Sequence, residues 1–240
     1  MRSCPPKTKR APARLLSFVA SSMVGLAVAT GGCGALSLDS VTFDLPPQSY
    51  TFSSAPLGLP TGTFPSATCR TAGDCCPAAT AVGLDCALLT CNGACSLRLL
   101  IESSPQPVNL STVPALGALK GRSSTGVGVK QIKYVANSTL NVGLPQTDLY
   151  VAPSGTAVST DPAAKKFGTV PTLPPDTSGT QGLVGLEPDV DATLGPYVTN
   201  TSTPFVFLAS TVMIIHGGEP LPAGSLDMTI TGRVTIKLGP

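Results

Sequence analysis

Past its first 32 residues, this chain is broken so often by proline and glycine that no long helix is expected in it. There are 25 glycines and 24 prolines in 240 residues. Proline removes a backbone donor and clashes with the preceding helical turn, and glycine carries the largest entropic cost of ordering. Between these breaks lie short runs rich in Val, Ile, Leu, Thr, Tyr and Phe, the residues that suit a pleated, half-buried surface. The chain is too apolar to stay disordered, so its expected architecture is all-β.

The runs can be placed. Val41, Phe43 and Leu45 alternate with polar residues, Pro46-Pro47 interrupts, and Tyr50 and Phe52 resume, which predicts strand, break, strand over 40–52. Further strands are expected at 96–101, 126–135, 138–142, 148–152, 205–215 and 226–238. In the last of these, Gly232 interrupts the alternation between Ile230 and Val234 and marks a bulge or bend. Two short helices are predicted. One is 161–166, with Asp161 as N-cap and Pro162 in the first turn, and the other is 187–194. Seven or so strands with closely spaced turns point to an antiparallel β-sandwich of immunoglobulin-like shape.

Six of the eight cysteines, Cys69, Cys75, Cys76, Cys86, Cys91 and Cys95, fall within 27 residues, and none follows. A segment that small cannot bury a core of its own, so the density reads as three disulfides stapling an insert at 66–95. Sequence leaves all fifteen pairings open, although adjacent Cys75 and Cys76 are expected to reach different partners. A thiolate metal site is the competing reading. It lacks paired C-x2-C spacing and a nearby histidine, so no metal and no cofactor is expected.

The first 32 residues carry a different signal. Arg2, Lys7, Lys9, Arg10 and Arg14 precede an apolar run from Leu15 to Ala29, and Thr30-Gly31-Gly32-Cys33 follows. Cations followed by about 15 apolar residues form an export signal, and a helix of that length spans about 22 Å, short of a bilayer core of about 30 Å. The segment resembles the lipobox of bacterial lipoproteins, with Thr30 where the pattern usually has Leu. That resemblance implies lipidation at Cys33, a membrane-anchored location in the bacterial cell envelope, and an oxidising compartment that suits the cysteine cluster. The organisation expected is then 1–32 signal peptide, 33–39 lipidated tether, and a 40–240 sandwich interrupted by the 66–95 insert. The alternative is cleavage after Ala27-Val28-Ala29, which releases a soluble cystine-rich inhibitor or signalling protein.

The signal holds five of the 15 basic residues and none of the 13 acidic ones, so the remainder is mildly acidic. It offers no basic patch for phosphate neutralisation, which argues against a nucleic-acid partner. Catalytic constellations are equally sparse. His216 is the sole histidine and no G-x-S-x-G elbow accompanies it. Glu187, Asp189 and Asp191 could serve as paired carboxylates or calcium ligands but read more simply as a solvated turn. Gly121–Gly128 lacks the lysine of a phosphate loop. The triplets at Asn109, Asn137 and Asn200 match glycosylation acceptors by chance in a Ser/Thr-rich chain. With no Trp and four Tyr, of which Tyr197 is expected to be exposed, an aromatic carbohydrate platform is absent. The functional expectation is a non-enzymatic structural or binding module.

Overall fold

The computed structural model describes residues 39–55, 59–119 and 121–239. The export signal and Cys33 lie outside the described residues. Within them the chain forms two antiparallel sheets packed face to face, the sandwich that the alternating runs predict.

The first sheet has the order β1 (Ser40–Ser53), β11 (Ser225–Leu238), β5 (Ser124–Ser138), β8 (Thr180–Leu183). The second runs β2 (Leu89–Cys91), β3 (Cys95–Glu102), β10 (Phe205–His216), β6 (Thr147–Pro153), β7 (Lys165–Val170), β9 (Gly185–Leu186), with β4 (Gln106–Val108) also pairing with β10. Alternation decides which side of each strand is dry. Phe43, Leu45, Tyr50, Ile132, Tyr134, Ile230 and Val234 from the first sheet meet Leu97, Leu149, Val151, Phe167, Phe205, Phe207 and Met213 from the second in one core. Phe207 packs on Phe167 at 5.0 Å and edge-on against Phe205 at 5.3 Å, geometries that suit the ring quadrupole.

The predicted break at Pro46-Pro47 is a bulge inside one strand rather than a gap between two. Leu45 pairs with Gly232 and Gln48 with Ile230, so β1 carries one extra residue there. The prolines, lacking N–H groups, sit on an edge strand where no ladder bond is lost. Gly232 lies between two bulges. On its other side, Arg233 pairs with Gln131 and Val234 with Val129, which leaves Lys130 as an extra residue in β5. A Cβ on Gly232 would come within 3.2 Å of Leu45 Cδ1, so the missing side chain makes room for its neighbour across the ladder.

Some expected elements differ. The predicted helix at 161–166 is a turn leading into β7. The Asp161 carboxylate accepts the Ala163 N–H at 2.8 Å, which closes an Asx turn, and the extended strand takes over at Lys165. The second helix is α2, Val190–Thr199, shifted toward the C-terminus because Val190, Leu194 and Val198 form the apolar face that packs inward. The separate strand expected at 138–142 does not form; β5 runs on to Ser138 and ends there. Tyr197 is half-buried, its ring 5.3 Å from Phe205.

Candidate functional site

The cystine insert leaves β1 at the end opposite Ser40. β1 pairs Ser40 with Lys237 and Ser53 with Ser225, so its 14 residues carry the chain about 40 Å along the sandwich. Residues 59–65 lie against the loop joining β10 to β11. Phe64 N–H donates to Glu219 O at 2.8 Å, and Leu221 N–H to Gly62 O at 2.8 Å.

The pairings left open by sequence are Cys69–Cys91, Cys75–Cys95 and Cys76–Cys86, with Cα separations of 5.9, 5.5 and 5.0 Å. Adjacent Cys75 and Cys76 do reach different partners. The sulfurs of Cys69, Cys75 and Cys95 lie within 4.8 Å of one another, yet each is already bonded to another sulfur and none is a free thiolate. A short helix, α1 (Cys76–Thr80), follows a 3-10 turn at Ala72–Cys75. Asp74 closes that turn by accepting the Arg70 N–H at 2.7 Å and the Thr71 N–H at 2.8 Å. These donors, Thr71 first and then Arg70, hold its carboxyl below the usual carboxylate range. Beneath the exposed loops, Cys75, Ala79, Leu84, Leu89 and Cys95 are buried in the same core as the sandwich. The insert is thus a rigid extension of the main fold.

Where the insert meets the sheet, Ser96 and His216 are opposite each other on β3 and β10. Ser96 Oγ lies 2.9 Å from His216 Nδ1. The His216 backbone N–H donates to Glu219 Oε2 at 2.6 Å, and Glu219 N–H returns to His216 O at 3.0 Å. Among the described residues no carboxylate bonds the imidazole ring, so the orienting third member of a catalytic triad is missing here. The serine and histidine instead tie the two strands together at the foot of the insert.

The acidic triplet is split three ways. Glu187 Oε1 pairs with Lys166 Nζ at 3.1 Å, and the same amine reaches Asp148 at 2.9 Å. Asp189 Oδ2 accepts from Thr193 Oγ1 at 3.4 Å within α2. Asp191 Oδ1 accepts the Val129 N–H at 2.7 Å, across to β5. Three carboxylates with three different partners do not form a cation site or a hydrolytic pair.

Two of the open grooves among the described residues lie beside features already described. One, of 690 Å³, lies on the first sheet beside the β1 bulge, under Thr112–Pro114, with Lys133 and the Asp44–Arg233 pair on its wall. Arg233 holds Asp44 in a two-pronged contact, at 2.8 Å through Nε and 3.2 Å through Nη2. The other, of 370 Å³, lies beside the last residues of β10, close to the insert. Neither was legible in the sequence, because each joins separate segments of the chain, such as Leu45 with Thr112 and Gly232 in the first and Pro145 with Met213 in the second.

At the sequence level no protein family and no curated protein matches this chain. Among solved structures, a chain titled desmodium yellow mottle tymovirus is similar at 13% identity, covering 95% of this chain and 96% of that one, with a TM-score of 0.23. One titled turnip yellow mosaic virus is 10% identical over 59% of this chain and 80% of that one, with a TM-score of 0.24. A chain of the infectious bursal disease virus Gx strain is 11% identical over 81% and 37%, with a TM-score of 0.22. At these scores the likenesses carry no argument about function.

Proposed function

We propose that the protein is an exported, lipid-anchored module of the bacterial cell envelope that holds a disulfide-stapled recognition end away from the membrane. The observation that supports this reading is that the cystine insert lies at the end of β1 opposite Ser40. The lipobox-like Cys33 precedes Asp39 by six residues, a reach of at most about 20 Å, and the chain enters β1 at Ser40. The cystine insert sits at the far end of the same strand, about 40 Å on. Stapled loops at the end of β1 far from its entry at Ser40 suit display. Stapled loops lose little entropy on binding, so the bridges favour recognition as well as stability. Three acyl chains, each contributing about 0.8 kcal/mol per buried methylene, supply durable anchoring without a membrane helix.

Mass spectrometry of the N-terminal peptide from the native, membrane-extracted protein tests the reading. An acylated end at Cys33, with Cys33→Ala moving the protein to the soluble fraction, is the expected result. An unmodified end at Thr30 would replace the tethered module with a released one.

A further inference from the structure

The geometry points to the notch beside the end of β10 as a docking site for an extended peptide segment carrying a lysine or arginine. This rests on the binding-module reading above and names the surface and the class of partner.

The notch exists because β6 stops short. β10 pairs with β6 only as far as Thr211 opposite Thr147, while on its other side it stays paired with β3 out to His216 opposite Ser96. In an antiparallel strand the backbone groups of successive residues point to alternate sides. Ala209 O accepts from Ser103 N on the β3 side, so the odd residues face β3 and the even residues face away from it. His216 fits this alternation, since its N–H and C=O bond to Glu219 on the open side. Ile214, two residues earlier, therefore turns its N–H and C=O into the 370 Å³ groove between Val142–Pro145 and Glu219-Pro220. Among the described residues no backbone or side-chain group bonds them there. A strand-edge segment of this kind accepts a peptide as an added strand, with main-chain bonds giving affinity and neighbouring pockets giving selectivity.

Two further features define the occupant. The solvent side of β10 is apolar at Val206, Leu208, Val212 and Ile214, with Ser210 and His216 among them. Val206 and Leu208 are buried with Ala152 and Ala164, beneath a loop that Ser159 pins to Glu102 at 2.7 and 2.5 Å. Beyond that cover, Ile214 is 51% exposed and Leu100 on β3 is 42% exposed. A strand added at Ile214 would lay an apolar side chain beside it, on the side away from Arg98, its partner in β3. Glu219 is the only charged residue lining the groove, and it has no cation against it among the described residues. The complementary charge is a basic side chain of the incoming strand.

The test uses the purified oxidised protein, isotope-labelled, titrated with acetyl-Thr-Val-Lys-Val-Thr-amide and with the same peptide carrying Glu in place of Lys. The expected result is that the lysine peptide shifts and protects the Ile214 amide, and that the glutamate peptide binds about fivefold or more weakly. Glu219→Gln, which keeps an acceptor for the His216 N–H, should abolish that difference while leaving the thermal midpoint in place. No change at Ile214 at millimolar peptide, equal response to both peptides, or self-association at this edge without peptide would each overturn the inference. The N-terminal mass is read separately, so a released protein with a peptide-filled notch would lose only the tether.

Discussion

The carboxylate of Asp191, near the start of α2, accepts the backbone N–H of Val129 in β5 at 2.7 Å, at the point where β5 bulges and loses its register with β11. β8 covers β5 only from Lys133 to Ala136, so this stretch of β5 has no strand beyond it. The helix covers it instead, with Gly195 against Val127.

Asp191→Ala should therefore leave the Val129 N–H without its acceptor and loosen α2 from the sheet. The expected cost is about 1–3 kcal/mol in denaturant unfolding, with faster hydrogen exchange at Val129. Asp189→Ala, which removes only a contact internal to the helix, should cost less.

Tyr50 is 1% exposed in the core, and its hydroxyl has no hydrogen-bond partner. Desolvation drives its phenol well above the ordinary tyrosine range, so it stays neutral and its polar group is simply unsatisfied. Tyr50→Phe removes that group at almost constant shape. It should stabilise the protein by about 1 kcal/mol, read as a higher denaturant midpoint at unchanged slope.

The disulfides should differ in worth. Cys75 and Cys95 are fully buried and close a separation of 20 residues, whereas Cys76 and Cys86 are partly exposed and close 10. Loop entropy alone gives about 3 kcal/mol for each, with about half a kcal/mol in favour of the longer. The buried pair adds a packing loss at the root of β3. Paired alanine replacement of Cys75 and Cys95 should lower the thermal midpoint more than that of Cys76 and Cys86. Equal losses would show that the insert is not keyed into the core through Cys95.

Acid should open the insert before the sandwich. Asp74 titrates below its unfolded value because the Thr71 and Arg70 N–H groups favour its charged form. A depressed carboxyl contributes stability that is complete above the unfolded value, about 3.9, and is lost as pH falls through the folded one. Amide exchange at Arg70 and Thr71 should thus accelerate at the acid end of the range. Asp74→Asn should flatten that dependence.

Much of the fold was legible one residue at a time. Val41, Phe43, Leu45, then Met228, Ile230, Val234 and Ile236, alternate because one face of each strand is dry, and that pattern survives in the chain without any knowledge of partners. Gly232 announced the bulge. The helix expected at Asp161 failed because an aspartate two residues before a bondable N–H supports an Asx turn as readily as an N-cap. β7 escaped notice since Lys165-Lys166-Phe167-Gly168 carries no clean alternation. Its Lys166 gains its place only from Asp148 and Glu187, on other elements.

By itself the sequence determined the kind of elements: β-strands, a cysteine-dense insert and, among the described residues, no helix longer than α2, all consequences of local backbone sterics and of spacing. Tertiary structure alone decided which cysteine meets which, which of three nearby carboxylates meets which donor, and where β6 ends beside β10. Those outcomes depend on contacts between residues far apart in the chain, and local propensity carries no information about a neighbour that arrives only when the two sheets close.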